Sequence, residues 1–398
     1  MIQVSLPPQR PEGVLPTQWI RRAIGAGYIR SEIPIPSEQI QPNSLDLRLA
    51  GICNRVQCSF LSGSSGMLAK LQRFKWYDFP LTERGAVLER NQVYILPLQE
   101  SLQLPPNVWA RTNPKSSTGR LDVFTRVVTQ SASAFDEVPA GYHGPLFIEI
   151  VPRSFPILVR PGDSLAQIRF QAGRSAKLSD EEMTGLIRDE RVIVDANFNA
   201  IAPERLRIAE GVFLSIRLVG KPDETVGFRA RKNTAPIDFR AIGTISIRHY
   251  WERIHSRPSS PVILEPDEFY VFASRERVRI PPEACAEMVP YDAGSGELRT
   301  HYAGFFDSGF GYDPGSPAAV VLEVRNRDVP FLIEDGHPLF RLVFFWNTEP
   351  PEILYGNGIA SHYQSQGLRL ARQFTSSADV DSGESVSAEV SQHLPFGQ

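Results

Sequence analysis

Four short stretches of this chain combine residue types that do chemistry. Lys115-Ser116-Ser117-Thr118-Gly119-Arg120 sets hydroxyls, a glycine and two cations within six residues, a mixture that suits phosphate oxygens. The same residues also read as a polar surface turn after Asn113-Pro114. Their spacing is not that of a P-loop, so nucleotide hydrolysis of that type is not indicated. Residues 300–311, around Phe305, Phe306 and Asp307, place small residues beside aromatics. A flat ring could approach that backbone while Asp307 accepts from a sugar hydroxyl; a β-hairpin with a turn aspartate is the plainer reading. Glu323 stands in an apolar run, Val320-Val321-Leu322-Glu323-Val324. Strand alternation puts Val321, Glu323 and Arg325 on one face and Val320, Leu322 and Val324 on the other. In a cleft, loss of water would raise the Glu323 pKa toward values useful for proton transfer; on a surface Glu323 would face solvent or pair with Arg325. Residues 355–366, with Tyr355, His362 and Gln366, form a lid over a base or a polar connection.

The elements that must position these groups are mostly strands. Runs such as 93–98 and 320–324 are rich in Val, Ile, Leu and Phe and are bounded by Pro, Gly and Asp, the pattern of short strands. The 33 prolines and 29 glycines supply frequent turns. Helical periodicity is confined to a few pieces: one over residues 19–26, capped by Thr17 and ending near Gly27, and one over 180–187. Many short strands with frequent turns predict an all-β chain with a few short helices, a barrel or jelly roll and not a doubly wound sheet.

The chain also repeats itself. Residues 87–95 read against 263–271, with Tyr94 meeting Tyr270 at an offset of 270 − 94 = 176, and Glu100 meets Glu276. A second block pairs Glu149 with Glu323 at 323 − 149 = 174, and there Arg153 meets Arg327 and Gly162 meets Gly336. An offset that drifts by so little marks a tandem duplication. The expected units are residues 1–205 and 206–375, joined near 203–211, with a tail at 376–398 too poor in apolar residues to fold.

Bulk properties narrow the classes. The 42 Lys+Arg and 45 Asp+Glu are interspersed and give a formal charge of -3, so no nucleic-acid footprint is indicated. Cys53, Cys58 and Cys285 are too few for a disulfide framework and suit a reducing compartment. Cys53 and Cys58 have no nearby histidine partner for zinc. The proline-rich start lacks an apolar signal core, and no apolar stretch is long enough to span a bilayer. These features predict a cytoplasmic protein without a membrane partner.

Taken in order, the motifs resemble the dCTP deaminase branch of the dUTPase-like superfamily. Residues 116–120 look like the family's S-S-x-x-R phosphate and catalytic motif. Residues 300–310 are similar to its T-H-x-x-A-G-x-I-D-P-G-F segment, and Glu323 sits where the family carries its catalytic glutamate. Tyr355, His362 and Gln366 match its Y…K-Y-x-x-Q tail, with His362 in place of the usual lysine. Residues 42–49 look like its early S-L-D-L-R-L strand. The resemblance implies two tandem dUTPase-like distorted β jelly-roll (β-clip) repeats and assembly into homo-oligomers, a trimer first among them.

Each repeat departs from the family pattern in a complementary way. The first keeps 116–120, but its nucleoside segment is altered around Phe135-Asp136 and it lacks the tail. The second keeps Asp307, Glu323 and the tail, yet reads Tyr291-Asp292-Ala293-Gly294-Ser295 where the phosphate motif belongs. The expectation is a composite site, with Glu149 as the alternative catalytic glutamate. The resemblance implies hydrolytic deamination of dCTP to dUTP by a water that Glu323 activates near Ser116, with Arg120 as electrostatic partner. Lys115 and Ser117 would face phosphates, Asp307 the 3′-hydroxyl, Phe305 or Phe306 the excluded 2′-hydroxyl, and Val321, Tyr355, His362 and Gln366 the rest of the nucleotide. Zinc deaminases carry H-x-E and P-C-x-x-C; neither pattern is present, so no protein-bound metal is expected and Mg²⁺ would enter with the triphosphate. dTTP is an implied inhibitor. Rival readings are a dUTP pyrophosphatase, alone or combined with deamination, using Asp307 or Asp136, and a non-catalytic nucleotide-binding protein.

Overall fold

The computed structural model describes residues 10–257, 261–290, 299–300, 304–312, 317–326, 328–356, 363–364 and 366–375; the tail at 376–398 lies outside them. In the first half, strands Leu45–Arg48, Ser164–Ala172, Val108–Pro114 and Glu137–Val138 form one antiparallel sheet. A second takes Lys75–Pro80, Ile52–Val56, Tyr94–Gln103, His143–Pro152 and Val123–Thr129 in that order. The second half repeats the plan. Val212–Ser215, Pro338–Trp346, Ala284–Pro290 and Phe305–Phe306 mirror the first sheet; Trp251–His255, Thr225–Ala230, Phe269–Val278, Ala318–Arg325 and Arg299–Thr300 mirror the second. The protein is all-β with short helices.

Side-chain bonds repeat as well. The backbone N–H of Glu89 donates to Tyr94 Oη at 3.2 Å, and that of Glu265 to Tyr270 Oη at 2.9 Å. Glu100 accepts from Arg48 N at 2.8 Å, and Glu276 from Ser215 N at 2.8 Å. Each glutamate, Glu100 fully buried and Glu276 half-buried, satisfies a backbone donor that its strand leaves open.

The helices differ in detail from the sequence pattern. The first spans Thr17–Gly25, with Pro16 at the cap and Thr17 already inside; the Thr17 hydroxyl is buried without a partner. Its backbone N–H is spent on Pro42 O at 2.8 Å, which holds the chain in place of a side-chain cap. The helix Asp180–Glu190 runs past its expected end at 187 and starts with a Ser179–Glu182 capping box. A helix at Met67–Phe74 was not legible from periodicity, and Ser116–Gly119 forms a helical turn. Among the described residues no helix is long and apolar enough to cross a membrane.

The apolar clusters show how the halves meet. One belongs to the second half alone and takes in Leu178, Met183, Leu186 and Ile193; the expected join at 205/206 falls inside it. The other is built on the first half but recruits Phe228, Phe239, Trp251, Val271, Val321 and Phe374 from the second. Strand Ile157–Val159 pairs on one side with Ala86–Leu88 and on the other, in parallel, with Ile237–Asp238. Arg160 clasps Asp238 with bonds of 2.6 and 2.9 Å. A shared core and a shared sheet set the two repeats in register, and the site depends on that register.

Candidate active site

The helical turn Ser116–Gly119 follows strand Val108–Pro114, where the chain must leave the sheet. Leu165 O on the neighbouring strand accepts Lys115 N at 2.9 Å and Thr118 Oγ1 at 2.8 Å, which clips the turn to the sheet. Arg120 closes it and is only 3% exposed. Its Nη1 donates to Arg369 O at 3.1 Å and its guanidinium lies 4.0 Å over the Tyr363 ring. Ser117 Oγ shares a hydrogen bond of 2.9 Å with Tyr363 Oη. Lys115 Nζ pairs with Asp46 Oδ2, from the early strand Leu45–Arg48.

Glu323 comes from strand Ala318–Arg325, paired with Phe269–Val278 and Arg299–Thr300. The expected alternation holds: Val320, Leu322 and Val324 enter the second half's own core, whereas Val321 joins the shared cluster. Arg325, on the Val321 face, does not pair with Glu323. It forms a buried ion pair with Asp122 of the first half, supported by Ser154 Oγ at 2.9 Å. Glu323 Oε1 lies 3.7 Å from Arg120 Nε, and that Nε makes no hydrogen bond. Burial pushes the Glu323 carboxyl up to about 7, and the neighbouring Arg120 charge opposes this without cancelling it.

Asp307 follows strand Phe305–Phe306, which pairs with Ala284–Pro290. Its Oδ1 accepts from Arg169 Nη2 at 2.8 Å and its Oδ2 from Ser44 Oγ at 3.3 Å, both first-half donors. Arg169 also donates to Ala286 O at 3.0 Å and lies 4.0 Å over the Phe305 ring.

These pieces enclose one cavity of about 260 Å³. Lys115, Ser116, Ser117 and Arg120 line it from the first half; Phe305, Phe306, Asp307, Val321, Glu323, Tyr355 and Gln366 line it from the second. Burial holds the Tyr355 hydroxyl well above its ordinary pKa. Gln366 is anchored through Nε2 to Ala319 O at 3.2 Å, which leaves its buried Oε1 without a partner. His362 lies outside the described residues.

The alternative glutamate does not reach this cavity. Glu149 is buried in its own repeat, where Oε1 accepts from Arg126 at 3.1 and 2.6 Å. Asp136 is likewise internal: Oδ1 accepts from Thr112 Oγ1 at 2.7 Å and Val127 N at 2.8 Å, and burial raises its carboxyl to about 6. Strand register explains why it is no counterpart of Asp307. Ala286 faces Phe306 as Ala110 faces Val138, so Pro139 stands where Asp307 would.

Sequence reasoning missed Tyr363, Asp46, Arg169 and Arg372. Tyr363 and Asp46 lie within quoted motifs, next to or among residues that carried the resemblance. Arg169 and Arg372 had no sequence signal, because only packing brings them to the site.

Comparison with known proteins identifies the family of the whole chain. The profile of the 2′-deoxycytidine 5′-triphosphate deaminase (DCD) N-terminal domain matches residues 11–174, and that of the C-terminal domain matches 179–374. The chain is similar to a crystal structure of 2′-deoxycytidine 5′-triphosphate deaminase from Agrobacterium tumefaciens, at 43% identity and a TM-score of 0.80, covering 86% of this chain and 100% of that one. It is 25% identical over 175 residues to the dCTP deaminase of Ignicoccus hospitalis, covering 44% of this chain and 91% of that protein. It is 35% identical over 117 residues to the dUMP-forming dCTP deaminase of Clavibacter michiganensis subsp. michiganensis, covering 28% of this chain. The match spans about half, 55%, of that last relative's length.

Proposed function

Because the chain belongs to the dCTP deaminase family, hydrolases that act on a C–N bond, we propose that it deaminates dCTP to dUTP and ammonia at the composite cavity. One observation carries the reading: Glu323 of the second repeat is buried 3.7 Å from Arg120 of the first, in a cavity that Ser116 also lines.

Glu323 takes a proton from a water held beside Ser116, and the hydroxide adds to C4 of cytosine. The protonated carboxyl delivers that proton to N3, then takes the proton of the new C4 hydroxyl and passes it to the amine, which leaves as ammonia as the C4 carbonyl forms, so one group serves as base and acid in turn. A carboxyl with its pKa near 7 is matched to both tasks at neutral pH. Arg120, held by Arg369 O and the Tyr363 ring, offers preorganised positive charge at the reacting centre. Asp307, fixed by Arg169, accepts from the 3′-hydroxyl, and Phe305 or Phe306 crowds a 2′-hydroxyl. Val321 supports the base, and Tyr355, His362 and Gln366 close over the nucleotide. Ser117 and Lys115 face the phosphates, and Mg²⁺ arrives with the triphosphate. A homo-oligomer, with a trimer favoured, and inhibition by dTTP complete the proposal. Ammonia release from dCTP, dCMP and CTP tests it: activity on dCTP is expected, and tight dCTP binding without turnover would leave a nucleotide-binding protein.

A second reading adds dUTP cleavage to deamination. It rests on the resemblance to dUMP-forming relatives, such as that of Clavibacter michiganensis subsp. michiganensis. Pyrophosphate released in step with ammonia would favour it, and ammonia alone would remove it.

A further inference from the structure

We infer that Arg372 is the cation that grips the outer phosphates of the bound nucleotide, an inference that rests on the deaminase reading above. The cations of the phosphate motif are already engaged by protein carboxylates. Lys115 pairs with Asp46, and Arg120 stands 3.7 Å from Glu323 while stacking on Tyr363. Arg169 is held by Asp307 at 2.8 Å. A triphosphate entering this cavity would meet charges that are mostly balanced.

Arg372 differs from all three. It lines the same cavity, is half-buried, and enters no ion pair among the described residues. Its Nε, like those of Arg120 and Arg169, is buried with no hydrogen-bond partner, a state that a native structure rarely leaves unmet without a ligand or water; what sets Arg372 apart is that no carboxylate among the described residues balances its charge. The backbone fixes where this guanidinium starts: Arg372 N donates to Tyr363 Oη at 3.1 Å and its carbonyl accepts from Gly243 N at 2.9 Å. The same Tyr363 hydroxyl bonds Ser117 at 2.9 Å, so one phenol ties Arg372 to a hydroxyl of the phosphate motif. Its guanidinium lies 5.7 Å from the centroid of the Phe239 ring, with no carboxylate paired to hold it. A planar guanidinium fork matches two phosphate oxygens at once.

The test uses the full chain and a ladder of ligands: dCTP, dCDP, dCMP and inorganic tripolyphosphate. With Arg372→Gln, dCTP and tripolyphosphate should bind about 10–100-fold more weakly, dCDP less so, and dCMP within about twofold of the parent. The saturated turnover on dCTP should stay within about threefold, because the residue binds and does not react. Arg372→Lys should recover part of the loss, since it keeps the charge but not the fork. Equal weakening of dCTP, dCDP and dCMP, or none, overturns the assignment and leaves Arg372 as a support for the chain around Tyr363. If the parent protein shows the phosphate ladder but releases no ammonia, the deaminase reading falls and Arg372 keeps its role.

Discussion

Glu149 and Glu323 hold the same place in two copies of one strand, and both are almost fully buried. Their surroundings send them in different directions. Glu149 receives two guanidinium hydrogen bonds from Arg126, which sits opposite it on the neighbouring strand of its own sheet. Arg126 is held in turn by Ser59 and stacks 3.6 Å over Phe135. Beside that face, Met67 and Leu71 of the helix Met67–Phe74 pack with Phe147. Glu323 has its cation on the other repeat, at 3.7 Å and without a hydrogen bond, beside a cavity. A carboxylate held through Oε1 by a guanidinium of its own sheet, with Oε2 buried away from the cavity, is a structural ion pair. One that meets its cation only across an interface keeps lone pairs and space for a substrate.

That contrast can be broken most decisively at the two carboxylates. Glu323→Gln should lower ammonia release by about 10²–10⁴-fold, the range of a lost general acid–base group. Glu149→Gln should leave turnover within about threefold, since it keeps the shape of a residue that touches no substrate. A dead Glu149→Gln enzyme would refute the assignment of the site.

The two arginines sharpen it further. Arg120→Ala should cost about 10²–10³-fold in kcat, as loss of a preorganised electrostatic partner does. Arg126→Ala should instead cost about 3–5 kcal/mol of stability, read by denaturant unfolding, because it strands a buried carboxylate. Turnover per folded molecule should survive. Matching losses of activity in both variants would erase the distinction between the repeats.

The pH profile is a finer test. Glu323 as base must be ionised, so kcat/KM should rise with pH to a plateau through a midpoint near the carboxyl value of about 7. Arg120→Lys should keep the charge and leave the limb nearly in place, whereas residual activity of Arg120→Ala should titrate higher, because the cation holds the carboxyl down. The stability linkage has the opposite sign. A folded-state pKa raised above the ordinary 4.5 lends stability that is present below pH 4.5 and lost as pH rises through 7. A limb that is flat between pH 5 and 8 would remove Glu323 as the titrating base. The smallest expected effect belongs to Tyr363→Phe. It loses the bonds to Ser117 and Arg372 N and should raise KM by about 3–10-fold.

Much of this architecture was open to reading before any fold was known. The offsets of 176 and 174 reported the duplication, and Tyr94 and Tyr270 make the same backbone bond in their two sheets. Alternation along residues 320–325 correctly divided Val321 from Val320, Leu322 and Val324. The complementary losses in the two repeats led to the composite cavity. Other parts were not readable. Nothing in the spacing of Arg169 points to Asp307, and Thr17 carries a cap-like side chain yet sits inside its helix.

The sequence alone determined the periodicities: strand faces, repeat offsets and motif order, all set by residues close together along the chain. Tertiary structure decided which of two equivalent glutamates would lie beside a cavity. It also decided that Arg325 would serve Asp122 and that Lys115 would be balanced by Asp46. Those outcomes depend on how one repeat packs against the other, through a core that Trp251 and Phe155 share at 5.3 Å. Contacts between residues so distant along the chain leave no local pattern, because the side chains that satisfy them are chosen by geometry that exists only after folding.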